Sequence, residues 1–175
     1  MPDRSTTARR VQVYSDPLQH VLIAAAVVAP FRDASVVRTA AVASIVIDAD
    51  HIVAARSVRV RHTTGLDTRP RSHSLITALG AGAAVAAVRG AEHGWATFAA
   101  LTSHLLHDAG DRAAPTPLLW PFAPARQLGR RRQLAGTALL ALASVAVSRA
   151  LAAASADPPA AGASGGGAAA PPRTA

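Results

Sequence analysis

Two short stretches of the chain place histidine and aspartate at spacings that suit metal binding. The stretch SIVIDADHIV, residues 44–53, follows an apolar run with Asp48, Asp50 and His51. His104 and Asp108 are four residues apart, so on a helix their side chains lie one turn apart on the same face. Imidazole and carboxylate together suit Zn²⁺, Mn²⁺ or Fe²⁺. Such ions can activate a water molecule and hold a phosphoryl oxygen, which is the chemistry of hydrolysis.

The elements that must position these residues are helices. Half of the residues are hydrophobic but only 3% are aromatic, and the abundant Ala and Leu are strong helix formers. Asp33 or Ser35 is a candidate cap for the second helix, and Ser72 for the third. The absence of cysteine excludes disulfides and thiolate metal sites. We therefore predict an all-α fold, an antiparallel helical bundle of about five apolar helices at residues 18–31, 34–48, 73–91, 94–108 and 134–155.

An up-and-down arrangement of these helices brings distant residues to one end of the bundle. The first and third helices begin there, and the second and fourth end there. The predicted cluster at that end contains His20, Asp48, Asp50, His51, His73, His104 and Asp108. His107 would either extend this face or contact one of the metal-binding residues without binding the ion itself. The alternative is ordinary capping, because Asp and Ser frequently mark helix ends and turns; His62 and His93 are expected to be solvated surface residues.

The distribution of arginine favours a membrane protein. Only the segment 134–155 has the length of a full membrane span, and it contains Arg149. Antiparallel spans would place thirteen arginines on the side of the N-terminus and four on the other, as the positive-inside rule predicts. We therefore expect a multi-pass protein of the cell (inner) membrane, with its N-terminus and the His/Asp cluster facing the cytoplasm. The alternative is a soluble helical bundle with arginine in its longer loops.

The remaining segments complete the domain organisation. Residues 1–17 form a predicted N-terminal cytoplasmic segment without the features of a signal peptide, and residues 18–155 form the helical domain. The Ala/Gly/Pro tail, residues 156–175, is expected to be disordered. The arginine-rich run at 126–134 lacks interleaved aromatic residues, so it favours an anchor to anionic membrane lipid over a nucleic-acid site.

Three motifs in order carry a resemblance to a known family. IDADH, RPRSHSL and SHLLHD followed by PLLWPF resemble the YdjM-type membrane-bound, metal-dependent hydrolases, described as LexA-binding and inner-membrane-associated. The resemblance covers residues 20–122. It implies metal-site positions at Asp48, Asp50, His51, His73, His104 and Asp108, an early histidine at His20, and companion positions at Arg69 and Ser74.

The chain departs from the family pattern at two positions. Ile47 stands where a proline is usual, and Thr68 stands where many members have a histidine. His62 and Asp67 are the candidates to replace that histidine. A more distant similarity to zinc-dependent phospholipase C implies chemistry on a phosphoester.

These observations lead to one main hypothesis and two alternatives. The main hypothesis is a divalent-metal-dependent hydrolase, with zinc the expected metal, Asp50 and His73 catalytic, and Arg69, Arg71 and Ser74 contacting a substrate phosphate. Arg69 and Arg71 are alternatively topology determinants or lipid headgroup contacts. The first alternative function is a membrane scaffold that binds a cytoplasmic regulatory protein, with a structural metal. The second is a soluble helical metalloenzyme.

Overall fold

The structure is a computed structural model that describes residues 4–63, 66–110 and 114–156, with side chains described from residue 15 onward except at residues 60 and 61. The described residues contain no β-strand, so the predicted all-α fold is confirmed. A single turn of 3₁₀-helix, Ala29–Phe31, follows the first helix. The α-helices are α1 (Arg4–Val28), α2 (Ala34–Val46), α3 (Ala49–Ala55), α4 (Val60–Thr63), α5 (Leu75–Arg89), α6 (Ala91–Gly110) and α7 (Arg130–Ala156).

Helix α6 is the centre of the bundle. It packs against α1, α2, α5 and α7, and thirteen of its twenty residues are buried. Its core positions include small residues such as Ala96, Ala99 and Ala100. Small side chains let helix axes approach closely, so four helices fit around α6 and their ends come within side-chain reach of one another.

The most extensive helix contact joins α5 and α6. Gly90, with φ of 92°, ends α5, and α6 begins at the next residue. In the hairpin that results, a Cβ atom added at Gly94 would lie 2.4 Å from the Cβ of Ala86 and 2.8 Å from the carbonyl oxygen of Gly82. Only glycine fits at position 94 without movement of the neighbouring backbone.

Contacts at the two ends of the bundle confirm its antiparallel order. At one end, the backbone N–H of Leu128, just before α7, donates to the carbonyl of Ala109, at the end of α6 (2.7 Å). At the other end, Pro30, Glu92 and Arg149 line one cavity of about 410 Å³. The first end also holds the C-terminus of α2 and the N-terminus of α5, and we call it the site end.

The structure corrects several predicted helix boundaries. Helix α1 begins at Arg4 rather than near residue 18, and α6 begins at Ala91 rather than Gly94. Helix α2 ends at Val46, so IDADH occupies a turn and the first residues of α3 rather than the end of α2. The carboxylate of Asp33 caps α2 by accepting from the N–H of Ser35, as predicted. From residue 157 onward the predicted disordered tail lies outside the described residues.

The predicted Ser72 cap is also wrong, and its place is taken by a longer-range contact. Ser74 is the residue that precedes α5, and its side chain makes no capping hydrogen bond. The hydroxyl of Ser72 instead donates to the carboxylate of Asp50. Ser72 lies two residues before the N-cap position, so its hydroxyl does not reach the free N–H groups of α5 and can donate to Asp50 instead.

Within the described residues, one helix is long and apolar enough to cross a membrane, α7. Most of its apolar window is exposed, including Leu134, Leu139 and Leu142. Length and composition alone give weak support for a span, because they do not show what covers the exposed face.

The close α5–α6 contact yields a matched pair of substitutions. We expect Gly94→Ala to destabilise the protein by about 1–3 kcal/mol, because the added methyl group overpacks the interface. Gly80→Ala, in α5, meets no atom within 4 Å and should stabilise the helix by about 0.5–1 kcal/mol. Thermal unfolding followed by circular dichroism measures both. Equal effects of the two substitutions would contradict the predicted packing.

Candidate metal centre

All seven predicted His and Asp residues lie together at the site end. They come from α1, the α2–α3 turn, α3, the start of α5 and the end of α6. Each of these residues has a His–Asp contact of 3.7 Å or less with another member, and the contacts link all seven into one network. Its members are His20, Asp48, Asp50, His51, His73, His104 and Asp108. The convergence expected from the sequence is therefore present.

Four atoms of this cluster have the spacing of a metal coordination shell. Nε2 of His104 is 3.3 Å from Oδ1 of Asp48 and 3.4 Å from Oδ2 of Asp108. Nε2 of His73 is 3.7 Å and 3.4 Å from the same two oxygens. Around a tetrahedral ion with bonds of about 2.0–2.2 Å, ligand atoms lie about 3.3–3.6 Å apart. The four contacts match this spacing, and His73, His104 and Asp108 together could hold a divalent ion, with Asp48 beside them. We call these four atoms the primary donor set.

Three atoms of the primary donor set also lack another partner. Nε2 of His73, Nε2 of His104 and Oδ2 of Asp108 are buried and make no hydrogen bond. Native proteins rarely leave buried polar atoms unsatisfied, and an ion bound between such atoms is a recognised explanation. The types of donor atom and their lack of hydrogen-bond partners therefore both indicate that a cation can bind here.

Hydrogen bonds on the far side of the two imidazoles fix their orientation. Nδ1 of His104 donates to the carbonyl oxygen of Ser44 at 2.8 Å. Nδ1 of His73 donates to the carboxylate of Asp50 at 2.9 Å, and Ser72 donates to the same carboxylate. In the neutral rings that a metal ion requires, Nδ1 would carry the hydrogen in both histidines and each Nε2 would present a lone pair. Asp50 thus contacts the primary donor set through His73.

The carboxyl group of Asp50 remains charged despite its partial burial. Burial would raise its pKa, but hydrogen bonds from His51, His73 and Ser72 outweigh that effect and lower the pKa well below its usual range. A charged Asp50 is the stronger acceptor for the Nδ1–H of His73.

His51 and Arg69 form the side of the cluster nearest α3. Nδ1 of His51 is 3.0 Å from Oδ1 of Asp50 and 3.7 Å from Oδ1 of Asp48. The guanidinium of Arg69 is 3.0 Å from Oδ1 of Asp108 and 3.4 Å from Nε2 of His51. Arg69 therefore provides a fixed positive charge beside the fully buried carboxylate of Asp108.

The side-chain contacts of the other two predicted substrate residues lie elsewhere. Arg71 is exposed, and its guanidinium lies 5.9 Å from the ring centre of Trp120. Ser74 is buried, and its hydroxyl bonds with that of Thr77 at 3.0 Å. Of the three predicted substrate residues, Arg69 is the one whose side chain contacts the cluster.

The structure also locates the histidines expected on the surface and the residues considered as replacements for the family histidine. His62 is exposed and contacts the hydroxyl of Ser57, and Asp67 is exposed. His93 lies at the opposite end of the bundle, where it is half-buried and contacts the hydroxyl of Thr39 at 2.9 Å.

Two residues that sequence reasoning did not place among the ligands border the cluster. Asp16 and His107 surround His20, whose ring stacks on that of His104 with centroids 3.6 Å apart. The signal for Asp16 was present in the sequence, because it precedes His20 by four residues on a helix, the spacing that identified His104 and Asp108.

The fold and the cluster define an all-helical protein with a buried His/Asp site at one end of its bundle, where it could hold a metal ion. The model of the YdjM inner membrane protein family matches residues 16–170, and the chain belongs to this family. This membership confirms the resemblance carried by the three motifs and indicates a membrane location. Comparisons with curated proteins and with solved structures gave no significant match.

The buried ion pair of Arg69 with Asp108 predicts a large difference between two neighbouring arginines. In metal-free protein, Arg69→Met should destabilise the fold by up to about 3–5 kcal/mol, because it leaves a buried carboxylate without its cation. Arg71→Met removes an exposed cation–π contact and should cost less than about 1 kcal/mol. Urea unfolding of chelator-treated protein in mild detergent compares the two. A cost for Arg69→Met as small as that for Arg71→Met would show that the histidines alone neutralise Asp108.

Proposed function

We propose that this chain is a membrane-bound hydrolase that depends on a divalent metal, most simply Zn²⁺, and cleaves a phosphoester carried by an amphiphilic molecule. The observation that carries the proposal is the primary donor set, in which two imidazoles and two carboxylates face one another at 3.3–3.7 Å. Mn²⁺ and Fe²⁺ suit the same donors. Family membership supports the membrane location.

Each residue of the cluster has a role in this proposal. Asp48, His73, His104 and Asp108 hold the ion, which when bound supplies a Lewis acid for a phosphoryl oxygen and a source of nucleophilic water. Asp50 is a positioning residue that acts through His73. Asp48 is the ligand at the solvent edge, because its side chain is 36% exposed while that of Asp108 is 1% exposed.

The arginine beside the cluster supports an anionic substrate. Arg69 has a guanidinium group that is already ordered by Asp108 and is 13% exposed. A guanidinium fork matches two oxygens of a phosphate. A phosphoester would therefore meet a fixed positive charge beside the carboxylates that bind the metal.

Apolar side chains next to the site end support an amphiphilic substrate. Leu119, Trp120 and Phe122 are 56%, 38% and 86% exposed. Their loop is attached to the site end, because the N–H of Leu75, at the start of α5, donates to the carbonyl of Leu118 (2.9 Å). Exposed aromatic residues beside arginines are typical of the boundary between lipid and water. A lipid-like molecule would reach the site from this boundary.

The burial of the primary donor set favours a second candidate function. Four protein ligands fill a tetrahedral shell, and closed shells are typical of structural metal sites. Three of the four residues are almost fully buried, with Asp48 the exception. On this alternative the metal fixes the helix ends, and the exposed arginine-rich loops of a membrane scaffold bind a cytoplasmic regulatory protein.

Hydrolysis of a chromogenic phosphodiester tests the proposed activity. Full-length protein in detergent, loaded with Zn²⁺, should hydrolyse bis(p-nitrophenyl) phosphate and lose this activity on chelation. His104→Gln should lower both bound metal and activity more than about 100-fold, because it removes a ligand. Asp50→Asn should weaken metal affinity by about 10–100-fold, the effect expected for a residue that orients a ligand.

The control for this experiment is His93→Gln, since His93 lies at the opposite end of the bundle. It should leave metal content and activity unchanged. A chain that binds stoichiometric zinc but hydrolyses neither phosphodiesters nor phosphomonoesters would overturn the proposed activity in favour of the scaffold.

We propose that the chain crosses the membrane several times, with the site end facing the cytoplasm. Because the chain has no cysteine, single-cysteine variants report on orientation without background. In intact spheroplasts, an impermeant maleimide should label Ala91→Cys at the opposite end. Gln127→Cys at the site end should react only after lysis. Labelling of both sites only after lysis, with release of the protein by carbonate washing, would instead indicate a soluble protein.

A further inference from the structure

A second group of metal-type donors lies beside the primary donor set, on its α1 side. Nε2 of His20 is 3.7 Å from Oδ2 of Asp16, and Nδ1 of His107 is 4.0 Å from Oδ1 of Asp16. The rings of His20 and His107 meet edge to face, with centroids 4.7 Å apart. One ligand atom from each of the three residues lies within 4.8 Å of the others. We call Asp16, His20 and His107 the secondary donor set.

A hydrogen bond orients His107 in the same way as the ligands of the primary donor set. Its Nε2 lies 3.3 Å from the side-chain carbonyl oxygen of Gln19, which can only accept, so this nitrogen carries the hydrogen. The buried Nδ1 then presents a lone pair toward Asp16, and it has no hydrogen-bond partner. The distances of 3.7–4.0 Å within this set are too long for ordinary hydrogen bonds.

The carboxylate of Asp108 joins the two donor sets. Its Oδ2 faces His73 and His104, each at 3.4 Å, whereas its Oδ1 faces His20 at 3.7 Å and the guanidinium of Arg69 at 3.0 Å. A carboxylate whose two oxygens face different groups of ligands is the arrangement of a bridge between two ions. Ions in two-metal hydrolytic sites lie about 3.5–4 Å apart.

Charge balance also favours a second ion. Four carboxylates surround the two donor sets, Asp16, Asp48, Asp50 and Asp108, and Arg69 is the cation in contact with them among the described residues. A single dication together with Arg69 leaves negative charge in excess. Two dications leave a net positive centre, which suits an anionic phosphoester.

We propose that the secondary donor set, with Oδ1 of Asp108 as the shared ligand, binds a second divalent ion next to the first. The proposal rests on the metal site of the proposed function and extends it to a two-metal centre. Its ligands come from α1 and α6, so the second ion would also tie the start of the bundle to its central helix.

Metal stoichiometry of the purified full-length chain tests this proposal. Elemental analysis after loading with Zn²⁺ and removal of free metal should give two ions per chain. Asp16→Asn and His107→Gln should each reduce the content to one ion, because they remove ligands of the second ion alone. His93→Gln, the control at the opposite end, should retain two. Circular dichroism and retention of the first ion show that each variant remains folded.

Paramagnetic resonance with Mn²⁺ tests whether the two ions are neighbours. Bridged ions are magnetically coupled, so the spectrum of the fully loaded chain should differ from that of isolated Mn²⁺. His107→Gln should restore the single-ion spectrum at one equivalent. Two ions without coupling would overturn the bridge through Asp108 and with it the proposed site.

The stoichiometry separates failure of this inference from failure of the proposed function. One ion in the unaltered chain, lost in His104→Gln but kept in His107→Gln, would overturn the second site and leave the first intact. No bound ion in the unaltered chain would overturn both. Two ions in both Asp16→Asn and His107→Gln would overturn the assignment of the second site to these residues.

Discussion

The buried carboxylate of Asp108 is the group on which the site end depends. It is 1% exposed, and removing a charge from water in this way is costly unless cations or polar groups replace the water. Groups from α1 and from the connection before α5 provide that replacement, through His20, Arg69 and His73. Because this charge must be compensated, separate segments of the chain pack together at the end of α6. For the same reason the location favours the binding of a metal ion.

The small residues of α6 make this convergence possible. Helices with large side chains at their contacts keep their axes further apart, and imidazoles on different helices would then not share one ion. Gly94 and the alanines of α6 bring α5 and α2 close enough for His73, His104 and Asp48 to meet. Packing along α6, from the α5–α6 hairpin to the middle of the bundle, therefore sets distances at the site end.

The sequence predicted the fold class and the convergence of seven residues because both follow from helix periodicity and antiparallel order. It did not predict which residues touch which. Arg69 and Arg71 are equivalent by sequence, but the backbone N–H of Arg69 is fixed to the carbonyl of Pro115, and only Arg69 reaches Asp108. Asp16 was overlooked because the helix was expected to begin two residues later, which placed it outside the bundle.

The exposure of the carboxylates bears on the choice between a catalytic and a structural metal. The primary donor set alone would close a tetrahedral shell, and a closed shell leaves no position for substrate. In the proposed two-metal arrangement the second ion would have Asp16, His20 and His107 and share Asp108, so each ion would have four protein ligands and a substrate oxygen would enter by expansion to five-coordination. Asp16 and Asp48 are 35% and 36% exposed, so each donor set has one carboxylate that reaches solvent. The proposed two-metal arrangement would therefore give each ion one partly exposed carboxylate ligand, which is the access from solvent that the proposed hydrolysis requires.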